Sequence, residues 1–428
     1  MTPARVLAMD AGSRLPPGGP AGFADTLAGH LARHGPRPSC GGGPRRREQL
    51  IAEVARAGLT GRGGAAFPAA AKLRALAAAR PRPAVIGNGV EGEPASDKDK
   101  VLLATAPHLV LDGAAGAAEL TGARTVVIVA HHAVCGVVAR AVAERRRAGW
   151  DPVPVRVLPA PGGFIACEAS AVVNWAERGL PVPTGRPARS GGPGGPGRGG
   201  RPALVQNVET LAHLALILRH GASWFRSAGT PAEPGSMLVT LLGAVRRPGV
   251  YEIGVGTPVS GLLGLAGGAA EPLSALLIGG YFGTWADPDE VLPLPFSAAG
   301  LAPAGASPGA GVVAALPRTA CGLAEAAHLA RYLARSSAGQ CGPCVFGLDA
   351  IAGQLERLAA GRPCDLARLD RWLAAVAGRG ACRHPDGTAL MVASALRVFR
   401  GEARLHARGW CGALGTAAVL PVPGQVRS

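Results

Sequence analysis

The sequence predicts an α/β chain in three parts: an open-sheet domain, a β-grasp module and a C-terminal helical bundle. Three observations carry that prediction. Between residues 46 and 230, short apolar runs alternate with longer helical stretches, the pattern of a sheet covered by crossover helices. From Met237 the runs become short and closely spaced, with the turn Arg247-Pro-Gly249 between the first two. After residue 319 a helical period takes over.

Taken in order, residues 1–45 are rich in Gly, Pro and Arg and are expected to be a disordered N-terminus. The α/β domain, 46–230, opens with an amphipathic helix to about Ala57 and a glycine-rich stretch, Gly58 to Pro68. A strand at Ala84–Gly87 leads into the acidic loop Asn88–Lys100. Helix Pro107–Thr121, strand Thr125–Ala130, helix Val134–Ala148 and strand Val153–Leu158 follow. A Gly/Pro/Arg loop at Ser190–Gly200 precedes the closing helix, Asn207–His220. The β-grasp module and its linker span 236–318, with strands Met237–Leu242, Gly249–Ile253 and Ala275–Ile278 and a helix at Val259–Leu265. Its Pro/Gly/Ala linker covers about Leu294–Ala310. The bundle, 319–410, takes helices Gly322–Arg335, Cys344–Ala360, Asp365–Ala377 and Ala389–Ala407, and 411–428 form a tail.

Ala, Gly, Pro and Arg are inflated together, so the positive mean hydropathy reflects compositional bias. No apolar run reaches the ~20 residues of a spanning helix. The best stretches are broken by Pro107, His108 and Asp112, or by Asn207, Glu209 and His213. The N-terminus lacks a signal-peptide layout. The expectation is a cytoplasmic protein without a direct membrane span, peripheral to a membrane complex if attached to one.

The net charge of +16 is almost all arginine, because the only lysines are Lys72, Lys98 and Lys100. The arginines are scattered and no aromatics interleave them, which argues against nucleic acid. An acidic protein partner, steered by long-range attraction, suits the charge better. Nine cysteines, an odd count, argue against a disulfide framework. Cys40, Cys135, Cys167, Cys321 and Cys411 are dispersed, whereas Cys341, Cys344, Cys364 and Cys382 form a group that suggests a metal centre.

Four motifs carry chemistry. Gly61-Arg62-Gly63-Gly64, followed by Phe67 and Lys72, lets backbone N–H groups approach a phosphate and adds a point charge; it also reads as a plain turn. The loop from Asn88 to Asp99 follows a strand, where open sheets bind ligands. Asn88 can bond a flavin edge, and Glu91 and Glu93 can accept from ribose hydroxyls; the alternative is a solvated acidic loop. Gly162-Gly163 and Glu168, with Asn207 further on, can border a planar ring, although Glu168 also reads as an ordinary surface acid. Cys341-Gly-Pro-Cys344 opens a helix whose positive end stabilises thiolates for iron or for structural zinc.

Together these motifs resemble the NADH- and flavin-binding F-type subunit of respiratory complex I and its relatives in NAD-linked hydrogenases and formate dehydrogenases, from about residue 46 to about 405. The family's Gly-Arg-Gly-Gly-Ala-Gly-Phe-Pro is matched over Gly61–Pro68 except at Ala66. Its acidic loop is matched by Asn88, Glu91, Glu93, Pro94, Lys98 and Asp99, and its Asn-Asn-Val-Glu-Thr by Gln206–Thr210. Val239–Gly283 looks like its soluble-ligand-binding β-grasp (SLBB) module. The acidic loop is also similar to that of Rnf-complex C subunits.

The resemblance implies a Rossmann-like FMN-binding domain, the SLBB module and a helical bundle with an iron–sulfur site. It implies NADH dehydrogenase-type chemistry, from NAD(P)H through FMN to an iron–sulfur centre and on to a ferredoxin-like acidic acceptor or a quinone-linked membrane reductase. Carried over by position, Gly61, Arg62, Gly63 and Lys72 would hold the FMN phosphate. Asn88, Glu91, Glu168 and Asn207 would line the flavin and its ribityl chain, and Phe67 and Glu93 would meet NADH. Cys341, Cys344 and Cys382 would ligate a 4Fe-4S or 3Fe-4S cluster.

Two departures qualify the match. Ala338 stands where the family has its first cluster cysteine; Ser337 and His384 are the nearest substitutes. Cys364 follows a helix roughly 20 Å long and should lie out of reach. Glu168-Ala169 replaces two adjacent glutamates, which opens the choice between NADH and NADPH. These losses keep alive an alternative, a non-catalytic relay or assembly subunit.

Overall fold

The computed structural model describes residues 14–15, 25–185, 202–413 and 418–423; the predicted loop at Ser190–Gly200 lies outside them. Contacts divide the chain into two units. One holds the described residues up to Gly92, then Asp97–Leu238 and Glu252–Gly256; the other holds Glu93–Ser96, Val239–Tyr251 and the described residues from Thr257 onward.

In the first unit, helices α1 (Leu27–His34), α2 (Gly43–Ala57) and α3 (Ala69–Ala77) precede strand β1 (Ala84–Gly89). Then come α4 (Lys98–Thr105), α5 (Pro107–Thr121), β2 (Val126–Ala130), α6 (His132–Arg147), β3 (Val155–Pro159), α7 (Ala169–Arg178), β4 (Ala203–Asn207) and α8 (Val208–Arg226). The sheet is parallel throughout, in the order β3-β2-β1-β4. Strand order reverses between β1 and β4, which opens a crevice at their carboxyl ends. Val127, Val129, Ile86 and Ala203 pack with Val172 and Val173 of α7 on one face. On the other, a Cβ added at Gly113 of α5 would lie 1.8 Å from the Leu211 carbonyl oxygen of α8. Glycine is required there because the two helices touch backbone to backbone.

In the second unit the sheet runs β6 (Gly249–Gly254), β5 (Ser236–Gly243), β9 (Val312–Pro317), β7 (Leu273–Ile278), β8 (Thr284–Ala286), with α9 (Val259–Leu265), α10 (Pro288–Val291) and α11 (Ala298–Leu301) in its connections. The bundle is α12 (Gly322–Arg335), a π-turn at Pro343–Leu348, α13 (Asp349–Ala359), α14 (Leu366–Val376), α15 (His384–Val398) and α16 (Arg400–His406).

Three expectations need correction. The segment before residue 45 is not wholly unstructured, because α1 is capped by Thr26 and its buried His30 sets Nε2 2.8 Å from Asp112 Oδ2. That long-range pairing leaves no trace in local composition. The stretch Leu294–Ala310 is not an open linker: Phe296 is fully buried, Ser297 Oγ caps α11, and the chain feeds β9, the central strand. Its Ala and Gly content mimics a linker because those residues are abundant everywhere. The last predicted helix is two, parted at Phe399, and begins five residues earlier than expected. Pro385 sits in its first turn, where no N–H is needed.

No single described helix is long and apolar enough to cross a membrane. The pair α4 and α5 passes on composition but is bent by 95°, and α5 is buried over nearly its whole length.

Asp112 anchors this unit. It is fully buried, with Arg145 Nη1 at 2.8 Å, Arg219 Nη2 and His30 around it. Burial pushes its carboxyl up, but the His30 hydrogen bond and the two guanidiniums reverse that and hold it well below the usual range. Asp112→Ala leaves buried Arg145 short of a counter-charge and is expected to lower unfolding free energy by about 3–5 kcal/mol in urea titrations.

Candidate functional site

The crevice is framed by residues at the ends of β1 and β4. Asn88 and Asn207 are register partners on the two strands. Asn88 Nδ2 donates to the Cys167 carbonyl at 2.9 Å, tying β1 to the turn before α7. Asn207 caps α8, its Oδ1 accepting from Glu209 N at 3.0 Å, and its Nδ2 donates to Asp99 Oδ2 at 2.6 Å and to the Asn88 carbonyl at 3.3 Å. A Cβ at Gly63 would sit 3.3 Å from Asn207 Cβ. The glycine loop therefore closes directly over the end of β4.

That loop is pinned at its base and open at its tip. Gly61 N donates to the Phe67 carbonyl at 3.0 Å, while Gly63 and Gly64 are exposed. Lys72 projects from α3, its Nζ 3.3 Å from the Val205 carbonyl and 5.8 Å from the centre of the Phe67 ring. Burial lowers its pKa. Arg62 goes elsewhere: its N–H donates to Thr210 Oγ1 at 2.9 Å, and its guanidinium donates to Thr60 Oγ1 and the Pro234 carbonyl.

The acidic residues divide between capping and a buried network. Glu91 accepts from Asp99 N and Lys100 N, both at 2.9 Å, and so caps α4. Glu168 Oε2 caps α7 through Ser170 N and Ala171 N. Glu93 belongs to the second unit: its Oε2 accepts from Tyr281 N at 2.8 Å and its Oε1 from Ala95 N at 3.2 Å. Beneath the crevice, buried Lys98 bridges Asp99 at 2.7 Å and Glu209 at 2.8 Å. Burial alone raises the Glu209 carboxyl, but Lys98, His213 and Arg62 bring it down to about 2; burial raises Asp99. Lys98 and Asp99 were visible as motif letters, and Glu209 as part of Val-Glu-Thr, but nothing in the sequence says they meet.

In the second unit the Cys341 carbonyl accepts from Cys344 N at 3.1 Å and Val345 N at 3.0 Å, opening the π-turn. Burial pushes the Cys344 thiol up to about 12, and the neighbouring Cys341 and Cys382 thiols add to it. Burial also raises Cys341, but N–H groups at Ala381 and Cys344 outweigh that and the net shift is downward. The ionisation penalty thus falls on Cys344, and a cation bound by its sulfur would relieve it. Cys364 instead lies beside Gln354 and Arg357, past α13. His384 Nε2 pairs with the Leu333 carbonyl at 2.7 Å.

Both halves suit the groups the motifs imply. For FMN there is an exposed glycine tip without Cβ atoms, a lysine beside it and two asparagine amides at the strand ends. For a cluster there are three thiols, with Ala338 in the fourth place.

Comparison with known proteins agrees with this division. Residues 54–216 match the Nuo51 FMN-binding domain, 238–287 the SLBB domain, and 324–406 the iron–sulfur binding region of NADH-ubiquinone oxidoreductase F. The F subunit of the NADH-quinone oxidoreductase of Mycobacterium bovis is 32% identical over 387 residues, 85% of either chain. The F 2 subunit of the same enzyme in Rhizobium meliloti is 29% identical over 377 residues, covering 84% of this chain and 89% of that one. Among solved structures, a NAD+-reducing NiFe-hydrogenase in the air-oxidised state superposes with a TM-score of 0.77 at 31% identity over 85% of this chain; this chain spans 63% of that one.

Two outcomes test the site. Ala66 holds φ at 47°, a left-handed conformation that costs an alanine about 1–2 kcal/mol. Ala66→Gly is therefore expected to raise stability by roughly 0.5–1 kcal/mol after the entropy of the unfolded glycine is counted, read from urea melts. Because the folded pKa of Glu209 is depressed, its contribution is complete above the unfolded value of ~4.3 and is lost as pH falls through about 2. The stability gap between wild type and Glu209→Gln should be constant from about pH 8 to about pH 5 and close below that.

Proposed function

The chain belongs to the family of NADH-quinone oxidoreductase F subunits, and from that membership we propose that it is a flavoprotein oxidoreductase passing electrons from NAD(P)H through FMN to an iron–sulfur centre. The observation that carries the reading is the open glycine tip set over Asn207 at the sheet's switch point. When bound, FMN supplies the conversion of a two-electron hydride donor into single electrons.

The protein's part is position and field. Gly61 shapes the loop, Gly63 and Gly64 present backbone N–H groups to the phosphate, and Lys72 neutralises it. Arg62 would contribute by fixing the loop's frame, its N–H on Thr210 and its guanidinium on Thr60 and Pro234. Asn88 and Asn207 border the flavin. Glu91 and Glu168 would act by fixing the starts of α4 and α7. Phe67 and Glu93 are the residues proposed to meet NADH, by their positions in the family's motifs. Cys341, Cys344 and Cys382 hold the cluster.

The acceptor proposed is a small acidic ferredoxin-like protein or a membrane reductase component, with the chain cytoplasmic and peripheral. Exposed Phe346 (77%) and Val345 follow Cys344, and exposed Arg379 and Arg383 flank Cys382 in the chain. Apolar contact with a basic rim suits an acidic partner. Ala169 in place of the second glutamate, with Ala338, favours a second reading, a non-catalytic relay or assembly subunit that keeps the fold but does not oxidise nicotinamide.

Mixing decides between them. Purified protein should be yellow and bleach on anaerobic NADH or NADPH; a yellow protein indifferent to both is the relay, and a colourless one refutes the flavin site. Lys72→Met should weaken FMN about tenfold, the worth of one charge-assisted contact, with far-UV dichroism unchanged. Anaerobic reconstitution should give an iron–sulfur EPR signal on reduction, abolished in Cys344→Ser.

A further inference from the structure

A second group of metal-type ligands lies in the bundle, away from the cluster thiols. Cys321 caps α12, and its Sγ accepts from Ala324 N at 3.4 Å. Around that sulfur stand His406 Nε2 at 3.5 Å and Glu402 Oε2 at 3.8 Å. The ligand atoms of Cys321, His406 and Cys411 all lie within 4.8 Å of one another, the only such trio among the described residues. They come from two places about 80–90 positions apart, the start of α12 and the end of α16, so the grouping was invisible in the sequence, where Cys321 and Cys411 read as dispersed.

The distances suit one small ion. With metal–sulfur bonds near 2.3 Å and metal–nitrogen or –oxygen bonds near 2.1 Å, a tetrahedron sets its ligands roughly 3.5–3.7 Å apart. The imidazole is also prepared: His406 Nδ1 pairs with the Ala359 carbonyl at 2.9 Å, which fixes the ring and turns Nε2 toward Cys321. Glu402 is steadied by Gly322 N, which donates to its Oε2 at 3.1 Å. Cys321 and His406 are buried and Cys411 is exposed, so the set has a dry floor and an entry side. Burial pushes the Cys321 thiol up to about 12, and Glu402 and Cys411 add to it against the Ala324 N–H. A cation removes that penalty.

We propose that Cys321, His406 and Cys411 form a three-ligand mononuclear zinc-type site, its fourth position left to water on the exposed side and Glu402 held beside Cys321, distinct from the cluster formed by Cys341, Cys344 and Cys382. The two sets belong to opposite ends of α12, whose 14 residues span about 20 Å. The ion would fasten residues 406–411 to the start of α12. The competing account is a thiol–imidazole hydrogen bond with no ion.

The test uses the full chain, purified anaerobically under reductant, stripped with a chelator and titrated with Co(II) and then Zn(II). The cobalt–thiolate charge-transfer band and total metal are read together. About one equivalent should bind in a Cys341→Ser/Cys344→Ser background, where the cluster set is disabled, and Cys364→Ser should not change its affinity. His406→Ala and Cys411→Ser should each weaken binding on the order of 100-fold, with dichroism unchanged; exposed Cys411 makes that second variant the safer one for folding. Equal affinity in both variants, loss of all thiolate-bound metal in the Cys341→Ser/Cys344→Ser protein, or a Cys321–Cys411 disulfide in the reduced preparation would each overturn the proposal.

Discussion

The buried contact of Lys98 with Asp99 and Glu209 is the constraint on which the first unit's working end depends. Each carboxylate stands at or near the start of a helix, Asp99 in α4 and Glu209 in α8, and one ammonium holds both. Asn207 bridges the same pair from the end of β4, accepting from Glu209 N and donating to Asp99. Glu209 Oε1 accepts from Leu238 N at 2.8 Å, so the same carboxylate also fixes the chain as it leaves the domain. Removing one member leaves unlike numbers of charges in a space without water, which is costly. The crevice thus has a buried ionic floor, whereas its rim is a loop of exposed glycines and alanines.

The second unit works differently. Its sheet is closed by β9, and the bundle hangs on α12, with a cysteine at its start and thiols beyond its end. Helix ends are where unpaired N–H groups and the dipole favour negative sulfur. Cys321 uses the start of α12, and Cys341 and Cys344 use the π-turn that leads into α13. This arrangement keeps the two groups of cysteines of one short bundle at opposite ends of α12.

Much of this was legible in the sequence, for a physical reason that differs by part. The helices Pro107–Thr121, Val259–Leu265 and Gly322–Arg335 were read to the residue because their ends carry proline, glycine or an abrupt change of period. Three strands of the parallel sheet stood out as apolar runs, but β4, whose end carries Asn207, did not, because its five residues lie between a Gly/Pro/Arg loop and a long helix. What could not be read was pairing at long range: His30 with Asp112, Glu209 with Lys98, Cys321 with His406. The roles of Glu91 and Glu168 were also hidden, since a carboxylate at a ligand loop and one capping a helix look alike in sequence. Compositional bias concealed the rest, for an Ala/Gly stretch such as 294–310 packs as well as it dangles when its neighbours are small.

The same bias has left an asymmetry with a practical side. Of 44 basic residues, the only lysines are Lys72, Lys98 and Lys100, and all three surround the crevice or its floor. The side chains of Lys98 and Lys100 are 4% and 21% exposed, and Lys72 is half-buried. An amine-directed reagent therefore finds almost nothing on this molecule except the glycine-loop lysine, Lys100 and the α-amino group. Chemical footprinting, usually a survey of a whole surface, becomes here a local gauge of whether the crevice is filled.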